Sequence, residues 1–594
     1  MDANIRKMIL KATNAKEIVR TQLIQNLWDN YGELLRVHLR DGDATSVILK
    51  HIKLPSKHAR AKDSKSDLSS RRKLKSYKVE ICWYETYNKI NLRDHGSPTA
   101  LKLASFQGKD ELFLLLEDLD TRGFGKRIAV AGIQEMKLVL SWLACFHAKF
   151  MQHGHQGLWN SGTYWHLETR PDELQILDDL RLKQAAPLID HKLKNTRYLT
   201  IVHGDAKLAN FCFSSDRSQV AAVDFQYAGR GCGMKDVAYF IGSCLREDQC
   251  EAMEGMILDF YFSVLLNNLK DSQIDKHELE RQWRASYHVA WADFHRFIKG
   301  WSPGFWKKTS YSEKITKKVI DDLYLELLQV AIHACVAAGR IVRSYWRKDI
   351  AISSKDGATA SSRVVTEADL ISQRTILSIL EPSMETYDLG LLAEEERDNR
   401  SRLEKAFFWS VDPLDGTLPF SEGESGFAVT IALISKMGDP ILGVVYDPVT
   451  ETLFHAIQNQ GCYQNNRPIQ LDQNNVSKRP IHLFADRSLK QEKNYPDLKE
   501  KFTVHFTGGA VMNTIHVLLH QNACYLKYPK EEVGGCAIWD LAAVSLILKE
   551  AGGIMTNMNG GALSFNQVES VYFNKEGIIA CSNKKIFDEV NQTL

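Results

Sequence analysis

Two acidic motifs, one in each half of the chain, limit what it can fold into. The first reads I-V-H-G-D-A-K-L-A-N over 201–210 and is followed by V-D-F-Q at 223–226. The second reads S-V-D-P-L-D-G-T over 410–417, with I-W-D-L-A-A at 538–543. Each gathers carboxylates at turns, as divalent-metal and phosphate chemistry requires. A chain of 594 residues cannot close on one core, because single cores stop growing at about 250–300 residues. The motifs therefore belong to separate domains.

The rest of the composition excludes other classes. Lys+Arg 75 against Asp+Glu 73 gives a formal charge of +2, so no net field selects nucleic acid or a membrane surface. The 11 cysteines are scattered, with no C-x-x-C pair and no zinc spacing. They are expected to be reduced thiols of a cytoplasmic protein. The start, M-D-A-N-I-R-K-M-I-L-K, carries charges throughout and lacks a signal core. No apolar run is expected to approach the ~20 residues of a membrane span.

From residue 22 to about 300, strand-like R-V-H-L-R, S-V-I-L-K-H-I and L-F-L-L-L-E-D-L precede the helical M-K-L-V-L-S-W-L-A-C-F-H-A-K-F. Residues 53–78 are Lys/Arg/Ser-rich and read as a solvated, mobile loop, or more sharply as an anion-gathering lid over the first site. Aromatic residues are almost absent there, against a nucleic-acid platform. Pro303-Gly304 and a polar, basic stretch place the boundary near 305–320, after which V-I-D-D-L-Y-L-E-L-L-Q-V-A-I-H-A-C-V-A-A-G-R-I-V-R reads as a long helix.

Phosphoryl transfer needs a base at the acceptor hydroxyl, metal ligands, a cation on the nucleotide phosphates and a carboxylate holding that cation. Asp205 precedes Asn210 by five residues, the spacing of a kinase catalytic loop. Asp205 is read as the base and Asn210 as a magnesium ligand. F-C-F, S-S-D-R-S and V-A-A-V read as a hairpin ending in Asp224, the second magnesium ligand. Lys50, late in V-I-L-K, is placed for the nucleotide phosphates, with Glu80 on the next helix as partner and Glu85 as the alternative. Glu117-Asp118-Leu119 would join the lobes and meet adenine through its backbone. G-R-G-C-G at 229–233 lacks the G-x-G-x-x-G spacing and reads as a flexible loop.

This half resembles the aminoglycoside phosphotransferase, choline kinase and ecdysteroid-kinase-like group over about 25–300. The resemblance rests on H-G-D-x-x-x-x-N with V-D-F, on L-L-L-E-D-L and on L-A-C-F-H-A. It implies a protein-kinase-like α+β fold with a small β lobe and a helical lobe, ATP-Mg as cofactor and a small-molecule hydroxyl as acceptor. It also implies a bracing role for Asp236 in G-M-K-D-V-A-Y-F-I. No Gly-rich phosphate loop is legible: only Gly32, in D-N-Y-G-E-L, stands at that place.

In the other half F-F-W-S-V reads as a buried strand that delivers Asp412, with Pro413 stiffening the turn. Leu414 can offer its carbonyl and Asp415 a second carboxylate. Gly416 and Thr417 expose backbone N–H groups, a cradle for the substrate phosphate. Asp540 lies in the first turn of the helix opened by Trp539. L-L-A-E-E-E supplies Glu394, and which of Glu394, Glu395 and Glu396 binds metal stays open. With no histidine in the set, magnesium is expected rather than zinc.

This half resembles the inositol monophosphatase superfamily, including the 3′(2′),5′-bisphosphate nucleotidases, over about 325–585, on D-P-L-D-G-T and W-D-x-A-A. The resemblance implies a layered α/β sugar-phosphatase fold and lithium inhibition. It implies two or more Mg2+ ions held by Glu394, Asp412, the Leu414 carbonyl, Asp415 and Asp540. Thr417 and Glu394 would activate water, helped by Thr366 and Asp369 of V-V-T-E-A-D. Leu418-Pro419-Phe420 replaces the Lys-Glu-Phe of many nucleotidases, and F-A-V-T-I-A-L is closer to inositol phosphatases. G-G-A-V-M-N-T and the Gly-Gly before L-S-F-N are closer to nucleotidases, and G-A-T-A-S-S-R lengthens 353–366.

The expectation is a two-domain enzyme, 1–310 kinase-like and 320–594 phosphatase-like, acting on small-molecule phosphate esters and ATP. A bisphosphate nucleotide is the first candidate for the phosphatase, an inositol or other sugar phosphate the second. The alternative for the kinase-like half is a non-catalytic metabolite-binding regulator. No nucleic acid or membrane partner is expected, and a homo-oligomer is left open.

Overall fold

S-V-I-L-K-H-I-K is rich in branched residues, and in the computed structural model Ser46–Lys53 is the central strand of a five-stranded antiparallel sheet. The structure describes residues 3–593 except 28–30, 54–63, 89–95, 109–110, 270–272, 305–309, 349–351, 355–363 and 473–479; the side chains of 64–67, 352–354 and 364–366 are likewise outside the description. The chain divides into two compact units, Met1–Ile320 and Asp321–Leu594.

In the first unit the sheet runs in the order Glu17–Asn26, Gly32–Arg40, Ser46–Lys53, Glu111–Glu117, Lys102–Gln107. Helix Ala3–Thr13 packs Ile5 and Ile9 with Val37, Val47, Leu49, Phe113 and Leu115 on one face. Strand alternation turns Lys50 to the other face, toward helix Ser64–Cys82. That helix corrects the loop expected over 53–78: from Ser64 the stretch is helical, and 54–63 lie outside the described residues. Low propensity for burial did not prevent it, because Ser76, Tyr77 and Glu80 fall on one face and are buried there. The helix ends in one π-helical turn, Trp83–Tyr87, whose Trp83 ring stacks 4.5 Å from Phe225.

The helical part comprises Ile133–Lys149, Leu180–Lys194, Met234–Cys244, Glu247–Asn268 and Lys276–Trp301. Phe211–Phe213 and Val220–Ala222 form the hairpin before Asp224. G-R-G-C-G is not a flexible loop: Gly229–Gly231 pairs with Thr200–Val202. A Cβ on Gly229 would meet the Trp159 carbonyl oxygen at 2.4 Å, so close packing explains this glycine.

The long helix begins at Ser310 and runs to Tyr345, so most of the polar stretch read as a boundary is helical. By length and composition alone it could cross a membrane, against the expectation of no such run. Its Leu327, Leu328, Ala331, Cys335 and Val342 are nevertheless buried, and Cys335 Sγ donates to the Val429 carbonyl at 3.2 Å. In the second unit a seven-stranded sheet begins with Gly390–Ala393 parallel to Phe407–Asp415 and continues antiparallel through Ala428–Ser435, Pro440–Asp447 and Thr452–Ile457. A five-stranded sheet is centred on Ile481–Ala485 and Ala523–Lys527. Helices Ala510–Leu519 and Ile538–Glu550 share one core with residues of both sheets. The small residues of W-D-L-A-A allow this: a Cβ on Gly443 would meet Ala543 Cα at 2.8 Å.

Candidate active sites

In the first unit Lys50 Nζ lies 2.6 Å from Glu80 Oε2 and 3.6 Å from Asp224 Oδ1. The sheet supplies the lysine, the helix its partner, and the turn after the hairpin the aspartate. Burial works against the Lys50 charge, but Glu80 and Asp224 outweigh it and raise its pKa. Glu85 is directed elsewhere and accepts from Ser105 Oγ. Asp118 accepts from Arg36 Nε at 2.6 Å and Ser46 Oγ at 2.7 Å, tying down the segment after the last sheet strand. Gly32 has φ +141, and a Cβ there would meet the His51 carbonyl oxygen at 1.9 Å; its freedom serves the approach of two strands.

The loop at 203–210 is held by Asp236, which accepts from the backbone N–H of His203 at 2.5 Å and of Gly204 at 2.9 Å. Asn210 Nδ2 donates to the Asp205 carbonyl at 2.7 Å and to Asp205 Oδ2 at 3.0 Å, and Lys207 Nζ to the same Oδ2 at 2.9 Å. Asp205 Oδ1 is buried and, among the described residues, meets no hydrogen-bond donor at full hydrogen-bond geometry, although the Tyr239 side chain lies against the same carboxylate. Burial, and after it the nearby Asp224, raises the Asp205 pKa against Lys207. For Asp224 burial also pushes upward, but Lys50, Lys207 and Gln226 prevail and the pKa is lowered. Two carboxylates pushed apart in this way suit a base and a metal ligand. Lys207 and Tyr239, beside Asp205, were missed in the sequence; the lysine two residues after the aspartate was the available signal.

In the second unit ligand oxygens of Asp412, Asp415 and Asp540 lie within 4.8 Å of one another, and all three residues are buried. Local structure explains the convergence. The pairing of Phe407–Asp415 with Ala428–Ser435 breaks between Asp412 and Asp415, a bulge that brings both carboxylates to one place. Asp540 sits in the first turn of its helix and accepts from the Ala537 N–H at 2.7 Å, so its capping role coexists with its place in the cluster. Glu394 follows the parallel strand, its N–H donating to the Val411 carbonyl at 3.2 Å. Its charge acts on all three aspartates, whereas the Glu395 N–H is taken up by Gln373 Oε1.

Burial, then Glu394, holds the Asp412 carboxyl well above the usual range. Asp415 is raised by burial and Asp540, and Asp540 is pushed up to about 7 by burial and Glu394. Such repulsion is relieved by a bound cation, and a set of hard carboxylate oxygens without histidine or thiol fits magnesium. Thr417 Oγ1 lies 3.1 Å from the Leu414 carbonyl and 3.4 Å from Asp369 Oδ1. Gly416, at φ +85, opens the one-turn helix Thr417–Ser421. Thr366 ends the short strand Val364–Thr366, and its side chain lies outside the described residues.

The role of G-G-A-V was also missed. The Val511 N–H donates to Asp415 Oδ2 at 3.0 Å, and a Cβ on Gly509 would meet that oxygen at 2.3 Å. A Gly-Gly pair ahead of an apolar helical run was the signal. The Gly-Gly before L-S-F-N instead forms a turn on Asn557, whose Oδ1 accepts from the Gly561 N–H at 2.7 Å.

Comparison with known proteins accords with this division. Residues 324–594 match the inositol monophosphatase family and residues 161–274 the ecdysteroid kinase-like family. An inositol-1-monophosphatase of Synechocystis is 31% identical over 276 residues, covering 45% of this chain and 88% of the relative. A 3′(2′),5′-bisphosphate nucleotidase CysQ of Aggregatibacter actinomycetemcomitans is 27% identical over 261 residues, covering 42% and 90%. A solved suhB protein of Bartonella henselae is 25% identical, with a TM-score of 0.39, covering 45% of this chain and 98% of its own. Through its second unit the chain belongs to the inositol monophosphatase family, while residues 161–274 of the first unit are similar to the ecdysteroid kinase-like family.

Proposed function

We propose that the chain is a cytoplasmic bifunctional enzyme, a magnesium-dependent phosphomonoesterase joined to an ATP-dependent small-molecule kinase. The buried trio Asp412, Asp415 and Asp540 carries the first half of this reading. Magnesium there, held by the trio with Glu394 and the Leu414 carbonyl, would supply the positive charge that offsets phosphate oxygens and makes water a better nucleophile. The protein's own part is positional. Thr417 donates its hydroxyl proton to Asp369 or the Leu414 carbonyl and so turns a lone pair toward the attacking water. Glu394 stands ready to take a proton from that water, and the Gly416 and Thr417 N–H groups face the phosphate. The substrate proposed first is a nucleotide 3′(2′),5′-bisphosphate, and an inositol phosphate is the alternative.

The kinase reading rests on the Lys50–Glu80–Asp224 constellation beside the buried Asp205 carboxylate. A carboxylate of raised pKa is the better base toward an acceptor hydroxyl, and Asp224 with Asn210 would hold the nucleotide's magnesium.

Phosphate release from adenosine 3′,5′-bisphosphate and inositol 1-phosphate, with and without magnesium and lithium, tests the phosphatase. Preference for the nucleotide supports the first substrate, preference for the inositol ester the second, and activity on neither overturns both. Calorimetric binding of Mg–ATP tests the kinase site; no binding overturns it.

A further inference from the structure

The hairpin Glu17–Asn26/Gly32–Arg40 occupies the place of a phosphate-covering loop, yet between its strands the chain reads L-W-D-N-Y-G. Kinase loops there are glycine-rich so that backbone N–H groups can close on the phosphates. Here Tyr31 fills the described end of the hairpin. It is 8% exposed, its hydroxyl donates to Ser70 Oγ at 3.0 Å, and its ring lies 6.5 Å from that of Tyr77. The hairpin is thus fastened to helix Ser64–Cys82 through a bulky side chain.

The same helix turns a polar stripe toward the metal-ligand aspartate. Glu80 pairs with Lys50 at 2.6 Å. Ser76 Oγ donates to Gln226 Oε1 at 3.1 Å, and Gln226 Nε2 to Asp224 Oδ1 at 2.7 Å. Residues three, four and seven apart share a helix face, so Lys73 belongs to the stripe of Ser70, Ser76, Tyr77 and Glu80. Seven residues separate it from Glu80, about 10 Å along the axis, the scale of a di- or triphosphate. Lys73 is half-buried, and the charges it feels are Asp224, Lys50, Arg72 and Arg170. Arg72 donates to the Thr169 carbonyl at 2.8 Å, which anchors its guanidinium between the helix and the Thr169 turn.

We propose that Lys73, with Arg72 beside it, is the second cation on the nucleotide's phosphate chain, reaching it from the helix. The inference rests on the kinase reading of this site. It moves the anion-gathering role of the basic stretch from a loop to a helix face. It also makes phosphate contact part of the surface that positions Lys50 through Glu80.

Binding of Mg–ATP, Mg–ADP and adenosine to the full chain, measured by calorimetry for wild type, Lys73→Met and Lys73→Arg, tests it. The expected result is Mg–ATP binding weakened at least about tenfold in Lys73→Met, adenosine binding unchanged, and recovery in Lys73→Arg. Equal Mg–ATP binding by wild type and Lys73→Met overturns the proposal while leaving the kinase reading intact. No Mg–ATP binding by wild type overturns the kinase reading itself.

Discussion

Around Asp224 and Asp205 the first unit places its own cations, with Lys50 at 3.6 Å from one and Lys207 at 2.9 Å from the other. Around Asp412, Asp415 and Asp540 the second unit places carboxylates against carboxylates, with Lys527 acting on Asp540 only as a minor influence. One centre is balanced by side chains and holds Asp224 ionised; the other is raised in pKa throughout. Charge of one sign, buried without a partner, is costly. The second centre therefore spends stability on a site that a cation or proton uptake relieves, whereas in the first the side chains supply much of the balance.

Separate catalysis is the broadest consequence, and it carries the largest effect. Asp412→Asn should lower phosphate release on the order of 10³-fold or more while ATP binding and turnover persist. Asp205→Asn should reduce phosphoryl transfer by roughly 10²–10⁴-fold, the range for loss of a general base, and leave phosphate release intact. Paired assays on each variant check this. One substitution that silenced both activities in a folded protein would break the comparison.

The next effect is on stability and has opposite signs in the two centres. Lys50 and Glu80 are 6% and 3% exposed, so Lys50→Met leaves a buried carboxylate without its cation. A loss of about 3–5 kcal/mol is expected in the first unit, read as a fall in the urea midpoint or as faster hydrogen exchange across Ser46–Lys53 and Ser64–Cys82. An unchanged midpoint would mean that the pair contributes little to holding strand and helix together.

Much of this was legible in the sequence because the motifs are local. Asp205 and Asn210 stand five residues apart and Asp412 and Asp415 three, so each pair stays close along the chain, while Asp236 and the pairing with Ala428–Ser435 set the final geometry. The strand assignment of V-I-L-K and the hairpin before Asp224 followed from branched residues and a polar turn. What was not legible came from tertiary contact. The basic 53–78 stretch looks solvated by composition, and only Ser76 on Gln226 and Glu80 on Lys50 make its second half a buried-faced helix. G-R-G-C-G looks flexible, and only its pairing with Thr200–Val202 shows why the glycines are needed. The Val511 N–H on Asp415 spans 96 residues of sequence, a distance no local pattern reveals.

A pH gradient gives the third effect. His166 is 2% exposed, and burial pushes its pKa down to about 4 despite the hydrogen bond to the Thr163 carbonyl. An unfolded histidine titrates near 6.5. Between these values the unfolded chain binds a proton that the folded one does not, so stability falls as pH drops from about 6.5 toward 4. The slope from this residue is about 1.4 kcal/mol per pH unit. In the second unit burial also lowers the pKa values of His482, His505 and His516, but these side chains are partly exposed and should give a shallower slope. Urea unfolding followed by hydrogen exchange in each unit separates the two, and His166→Asn should flatten the first. A slope unchanged by that substitution would assign the acid sensitivity to other groups.

The smallest effect is the most direct test of the imbalance between the centres. With magnesium chelated, at a pH where Asp412 is ionised, Asp412→Asn removes one of the mutually repelling charges and should stabilise the second unit, by about 1 kcal/mol on the scale of ordinary single substitutions. A site that gains stability when its function is deleted is one in which function and stability oppose each other. Adding magnesium should then raise the wild-type unfolding midpoint, since a ligand bound only by the folded state stabilises it, and raise that of the variant less. The difference between chelated and magnesium-loaded protein should therefore shrink in Asp412→Asn. In the first unit, without nucleotide, magnesium should move the midpoint little, because Lys50 and Lys207 already answer the charge that the ion would neutralise.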